Sequence, residues 1–253
     1  MWGYVINTVI AFALWITAAA WLLRTQFESL RGEDYRPAWR EFVPFAFHTS
    51  IMASMKAVAG NLDILLLGAL RPPSDAAFMK IARSGASLML LPIAPLTSVL
   101  YPLINEAWVK RQIEQVKRYI QQYTLITGAV VGAAIIVVWI AGEFVVSLIY
   151  GVENIPVAWV LKILVIGMAI ESLAGWMRLT TLANGKPGLV TFTGFAALMA
   201  RIVASVPLIY ALGAQGAAWA YVISVIVSVS LNIGYVLPRL GIPLNRLLRV
   251  GQE

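Results

Sequence analysis

Long apolar runs alternate with short polar connections along almost the whole chain. Seven runs stand out, at roughly 3–23, 42–70, 76–109, 119–141, 157–180, 188–212 and 214–236. Each holds about 20 or more mostly apolar residues, the length at which an α-helix rising 1.5 Å per residue crosses a hydrocarbon core of about 30 Å. The pattern therefore predicts an all-α integral membrane protein with about seven transmembrane helices. The third run carries Pro92, Pro95 and Pro102. Those prolines break backbone hydrogen bonds, which a membrane helix tolerates where the freed groups meet neighbouring helices or water. Two connecting segments read as interfacial. Residues 108–123 (WVKRQIEQVKRYIQQY) interleave basic residues with Val116, Ile120 and aromatics, as either an amphipathic cytoplasmic helix or a loop helix extending two spans would. Residues 142–156 (GEFVVSLIYGVENIP) are too short and polar-interrupted to span, and are expected to form a half-buried surface turn. Gly128 and Gly132 form a small-xxx-small pair of the kind that lets helices pack closely.

Composition agrees with the pattern. The chain is 60% hydrophobic and 12% charged, about half the charge of a typical soluble domain at roughly 25%. Mean hydropathy is +0.81. The first run lacks a basic flank and a small-residue cleavage site, so it reads as a membrane helix and not as a signal peptide. The absence of cysteine excludes disulfides, thiolate metal sites and thiol catalysis. The net charge of +7 is unevenly placed. The first connection holds Arg24, Arg31, Arg36 and Arg40, and the third holds Lys110, Arg111, Lys117 and Arg118. Lys186, with Arg178 at its edge, lies in the fifth, and Arg239, Arg246 and Arg249 lie in the tail. The second connection has Arg71 and Lys80, and the fourth and sixth have no basic residue. The positive-inside rule then puts the N-terminus outside and the C-terminus in the cytoplasm.

The charges within the runs point to chemistry. Arg201 lies near the middle of the sixth run. A guanidinium in the hydrocarbon layer costs at least about 2.5–3.5 kcal/mol on insertion scales and does not escape by losing its proton. It must face a wet cavity, an anionic partner or an anionic ligand. Lys56 and Asp63 lie seven residues apart in the second run, with Gly60 and Asn61 between them. They share one helix face, about 10 Å apart along the axis. Glu171 and Arg178 repeat that spacing in the fifth run, with Gly175 between. Turned inward, these faces would enclose a polar cavity with an excess of positive charge. Blander readings stand beside this one. Arg178, Lys80, Arg83 and Lys162 could snorkel to head groups, Asp63 and His48 could be interfacial, and Arg201 could pair structurally with Glu171. The sequence holds no catalytic constellation, metal-ligand cluster or glycine-rich phosphate loop, so no enzyme activity and no cofactor is expected.

Six segments, in order, carry a family resemblance. They are 61–70 (NLDILLLGAL), 76–85 (AAFMKIARSG), 95–108 (PLTSVLYPLINEAW), 147–167 (SLIYGVENIPVAWVLKILVIG), 182–188 (LANGKPG) and 212–224 (LGAQGAAWAYVIS). From about Phe42 to Val236 the chain resembles the polysaccharide flippases, the O-antigen and capsule type, of the multidrug/oligosaccharidyl-lipid/polysaccharide exporter superfamily. That resemblance implies a two-lobed transporter with six helices per lobe around a central cavity. This chain would be the C-terminal half. Residues 1–41 would form the first transmembrane helix and the cytoplasmic inter-lobe linker, 42–238 the six-helix lobe, and 239–253 the cytoplasmic tail. The implied function is translocation of undecaprenyl-diphosphate-linked oligosaccharide across the bacterial plasma membrane by ion-coupled alternating access. The implied partners are that lipid-linked oligosaccharide, membrane lipid and the missing N-terminal lobe, with no nucleic acid. Cavity physics, and not matched family positions, makes Arg201 and Lys56 the first candidates for diphosphate contact, followed by Arg83 and Arg178. On the same ground Asp63 or Glu171 would carry a coupling proton or balance charge. Two alternatives remain open: a multidrug exporter of the same superfamily, and a seven-helix receptor-like or structural membrane protein.

Overall fold

The computed structural model describes residues 36–89 and 91–240, together with Thr17. Eight α-helices cover nearly all of them: α1 (Arg36–Leu70), α2 (Pro73–Met89), α3 (Ile93–Val109), α4 (Ile113–Tyr150), α5 (Pro156–Leu173), α6 (Gly175–Ala183), α7 (Pro187–Leu212) and α8 (Ala214–Leu240). A short 3-10 turn, Val152–Asn154, links α4 to α5. There is no strand among the described residues. The chain divides into two compact units, Met1–Ala46 and Phe47–Glu253, and the account below concerns the second. The first predicted span, 3–23, falls outside the described residues except for Thr17, as does the tail beyond Leu240.

Among the described residues, four helical segments are long and apolar enough to cross a bilayer: Ile113–Tyr150, Pro156–Ala183, Pro187–Leu212 and Ala214–Val236. A fifth results if Pro73–Leu88 and Ile93–Val109, whose axes diverge by 59°, act as one broken span. The third predicted run is therefore two helices. Pro92 precedes α3, where a missing N–H costs nothing because the first turn of a helix has no acceptor for it. In α1, Val58–Leu70 is a shorter apolar stretch. The protein has the makeup of a membrane-embedded helical protein.

Helix α4 departs most from expectation. At 38 residues it is about 57 Å long, and it takes in residues 113–123 and 142–150 of the two segments read as interfacial, leaving 151–155 as the surface turn. Residues 142–150 do not form a surface turn; they continue the helix to Gly151, whose φ of +87° ends it. The only charge in that stretch, Glu143, is no obstacle because its carboxylate accepts from Lys162 on α5 at 2.7 Å. At the other end the break falls at Arg111, with φ +56°. From Ile113 the helix is continuous with the span and buries Val116, Ile120 and Tyr123, so this segment extends the span.

Helix α5 is the hub. Eight of the nine residues from Val157 to Val165 are buried, Trp159 being the exception, and the helix packs against α2, α4 and α8. One core cluster joins Leu67 of α1, Met79 and Ala86 of α2, Leu164 of α5 and Ala217 and Tyr221 of α8. A second joins Ile104 of α3, Ile120 and Tyr123 of α4 and Trp176 and Leu179 of α6. Helices α7 and α8 form a tight hairpin through the single residue Gly213, at φ +58°. Small residues set the closest approaches, as expected between helices in lipid. A Cβ on Gly216 would lie 1.9 Å from the Leu208 carbonyl oxygen, and one on Gly167 would lie 2.7 Å from the Tyr221 ring. The pair singled out by sequence does not have this role. Gly132 has nothing within 4 Å of its missing Cβ, and Gly128 has only Leu173 at 3.8 Å.

Outward faces are strongly apolar, with Ile140 82%, Val203 74% and Leu148 72% exposed, which suits contact with lipid chains. Substituting Gly216→Ala is expected to destabilise the hairpin by about 1–3 kcal/mol, because backbone and not a movable side chain blocks the Cβ. Gly132→Ala, in open space and in mid-helix, should be neutral or slightly stabilising. Thermal unfolding of both variants in detergent micelles checks this; equal melting temperatures would contradict the hairpin geometry.

Candidate functional site

Asp63 sits on α1 in the apolar stretch that ends at Leu70, and it is completely buried. A carboxylate there must be matched, and two helices supply the match. From α7, Arg201 donates through Nε to Asp63 Oδ1 at 2.9 Å and through Nη2 to Oδ2. This is the fork geometry in which a guanidinium meets a carboxylate with two parallel bonds. Arg201 is itself only 4% exposed. From α2, Arg83 donates through Nη1 to the Gly60 carbonyl and comes within 3.9 Å of Asp63 Oδ2. One carboxylate is thus shared between two guanidinium groups. Gly60 lies three residues before Asp63, so both acceptors are presented by the same turn of α1.

The cluster extends through Tyr221 of α8. The Arg201 Cζ lies 4.8 Å from the centre of the Tyr221 ring, within range for a cation–π contact. The Tyr221 hydroxyl donates to Glu171 Oε2 of α5 at 2.5 Å. Gly167 makes room for that ring, one turn before Glu171. The inward face of α7 is polar along its length: Thr193, Arg201 and Ser205 are buried at four- and eight-residue spacing, with Val190 and Ile209 at its ends. Thr193 bonds back to Val190 O, whereas Ser205 Oγ meets no partner among the described residues.

The six residues named from sequence fall into distinct places. Arg201, Asp63 and Arg83 come together. Glu171 joins them only through Tyr221; the pair expected between Glu171 and Arg201 is replaced by the pair with Asp63, since the tyrosine ring occupies the space against the guanidinium. Glu171 is otherwise exposed. Arg178 is exposed on α6 and takes no part in the cluster. The side chains of Lys56 and His48 lie outside the described residues. Asp63, which one reading of the sequence left exposed to head groups, is fully buried beside its two arginines. Tyr221 and the Gly60 carbonyl escape sequence reasoning. The one hint for Tyr221 is its place in a run of small residues, AQGAAWAY, which lets a neighbouring helix approach.

A second buried cation is satisfied separately. Lys162 of α5 donates to Glu143 of α4 at 2.7 Å and lies over the Trp159 and Trp139 rings, 4.4 and 5.7 Å from their centres. That arrangement meets the charge of the ammonium with one carboxylate and two aromatic faces. Among the described residues no group of three acidic or histidine side chains is placed to hold a metal ion.

Chemically, the first cluster carries two positive charges against one buried negative charge. Each guanidinium carries further N–H groups beyond those that meet Asp63 and the Gly60 carbonyl. Arg83 keeps 21% of its side chain exposed, so it is the more accessible of the two. Asp63→Ala strands Arg201 and is expected to cost about 3–5 kcal/mol. The double change Asp63→Leu with Arg201→Met removes both charges and should recover most of that loss. Melting temperatures of single and double variants check it; a double variant no more stable than Asp63→Ala would contradict the pairing. Comparisons of this chain with protein-family models, curated proteins and solved structures found no match, so any family reading stands on the residues and this geometry.

Proposed function

We propose that this chain is one helical lobe of a flippase that moves an oligosaccharide linked to an isoprenoid diphosphate across the bacterial plasma membrane, the N-terminus outside and the C-terminus in the cytoplasm. The observation that carries the reading is the convergence of Arg83 and Arg201 on the single carboxylate of Asp63, inside a bundle of apolar helices. An excess guanidinium in such a place has a use where an anion passes through, and a phosphate oxygen is a strong acceptor for it. The resemblance of six ordered segments to polysaccharide flippases points the same way. Within this reading Arg83 becomes the first contact for the diphosphate, because Arg201 already donates twice to Asp63. Asp63 then competes with the substrate for the guanidinium groups, and Glu171 trims the net charge through Tyr221.

A second reading follows from the same bonds. Arg201 and Asp63 satisfy each other so fully that they could serve only to tie α1 to α7 in a structural membrane protein. Function separates the two. In cells lacking this chain, surface polysaccharide is expected to fall and its lipid-linked precursor to accumulate on the inner leaflet. Arg83→Ala at normal protein levels should lower export about tenfold or more, the loss expected for one charge-assisted bond worth roughly 1.5–3 kcal/mol. Unchanged surface polysaccharide in cells lacking the chain would sink the flippase reading. Normal export by the apolar double variant of Asp63 and Arg201 would leave the tie between helices as their whole role.

A further inference from the structure

The two ends of the described bundle differ in charge. One end holds the turns between α1 and α2, α4 and α5, and α7 and α8, where Arg71 and Asp75 lie against Gly213. Its cations Arg71, Lys80 and Lys162 are matched in number by the acids Asp75, Glu143 and Glu153, so that end is neutral. The other end holds the turns between α3 and α4 and between α6 and α7, tied together by the core cluster of Ile104, Ile120 and Leu179. There six cations, Lys110, Arg111, Lys117, Arg118, Arg178 and Lys186, stand against two acids, Glu106 and Glu114, a surplus of four positive charges. Both acids are already taken. Glu106 accepts from Lys110 at 2.6 Å and Glu114 from Lys117 at 2.7 Å. Arg111, Arg118 and Lys186 are exposed and have no carboxylate partner among the described residues.

The exposed face of α4 shows what those cations meet. It presents Arg118, then Gln121 and Gln122, then Leu125 and Ile126. At 1.5 Å per residue it passes from guanidinium through amides to hydrocarbon in about 10 Å. From Leu125 to Ile149 every exposed residue of α4 except Glu143 is apolar. Helix α7 repeats the order: Lys186 just before it is followed on exposed positions by Gly188, Phe192 and Phe195. Charged head groups and then hydrocarbon follow one another over a similar depth in one leaflet of a bilayer. A soluble acidic partner offers no hydrocarbon to Leu125 or Phe192. Arg111 adds a separate sign. It holds the turn between α3 and α4 at φ +56°, where glycine would sit at lower cost. The turn accepts that strain and presents a guanidinium at the surface.

We infer that this end of the bundle is a binding surface for anionic phospholipid, in which Arg111, Arg118 and Lys186 hold lipid phosphates while the apolar faces of α4 and α7 lie along the acyl chains. The flippase reading is not needed for it; charge, exposure and the membrane-embedded makeup of the helices suffice. A zwitterionic head group brings its own ammonium, which the surplus of positive charge opposes. A head group with net negative charge meets no such opposition. The attraction acts at a solvated surface, so salt weakens it. The neutral end draws no such distinction, and anionic lipid therefore acts on one leaflet only.

The test uses the full chain in a non-ionic detergent, titrated with phosphatidylglycerol, with phosphatidylcholine of the same chains, or with glycerol phosphate, the head without the chains. Bound lipid is counted by native mass spectrometry, and thermal unfolding is followed in parallel at low and high salt. Phosphatidylglycerol is expected to bind more tightly than phosphatidylcholine and to raise the melting temperature more, the difference shrinking at high salt. Arg118→Gln and Lys186→Gln should each lower that preference about fivefold, the share of one cation near a lipid surface. Lys80→Gln, at the neutral end, should leave it unchanged. Arg111→Gly relieves the turn, so it should keep or raise the melting temperature in detergent alone while lowering the preference. Misfolding and lost lipid contact then move in opposite directions. Equal binding of the two lipids, a preference unmoved by all three variants of the charged end, or one lowered as much by Lys80→Gln would each overturn the inference. Protection by glycerol phosphate alone would replace it with a site for a soluble anion. Binding of a polyglutamate peptide with no preference between the lipids would replace it with an acidic protein partner.

Discussion

The bond between Arg201 and Asp63 is the constraint around which the described part of this protein is arranged. Neither group can sit alone among apolar helices, and each is too short-ranged to find a partner at a distance. The pairing therefore fixes how α1 stands against α7. Arg83 tightens the arrangement by reaching from α2 to the Gly60 carbonyl on the same turn of α1. Three helices are positioned by one carboxylate and the carbonyl three residues before it. This matters the more because α1 makes few close backbone approaches to the other described helices. Long arginine side chains, together with burial of Leu67, bridge what close packing does not.

Elsewhere, contact is made by small residues and a central apolar helix. Helix α5 is buried on nearly every side and brings α2, α4 and α8 together. Gly167 lets the Tyr221 ring come against α5, and that ring carries the polar network from Arg201 to Glu171. Close packing and polar chemistry are thus joined at one place. A larger residue at 167 would displace the ring and, with it, the link between Arg201 and Glu171. The tight hairpin at Gly213 and Gly216 fixes α7 against α8 and so sets where Arg201 stands relative to Tyr221.

The proposed transport role depends on the imbalance within this cluster. A single bidentate pair would be electrically closed and would need nothing more. Adding Arg83 sets two guanidinium groups against one buried carboxylate, and Arg83 keeps part of its side chain exposed. Lys162, by contrast, has a single carboxylate partner, Glu143, and lies over two tryptophan rings.

The sequence by itself determined that the protein is helical and built for a membrane, because a run of twenty apolar residues has few other stable solutions. It also marked Arg201 as a costly charge that needs a partner, and left Asp63 and Arg83 open to readings at the membrane surface. Hydropathy does not report helix ends well, which is why residues 142–150 read as a turn: the eye stops at Glu143, whereas the helix stops only where Gly151 takes a positive φ. The same limit hid the break before Ile93 inside an unbroken apolar run. Only the tertiary structure decided that Arg201 meets Asp63 and not Glu171, 138 positions apart in sequence. Partner choice between buried charges depends on how helices cross, and the crossing is set by glycines and by one tyrosine ring whose role no local pattern records.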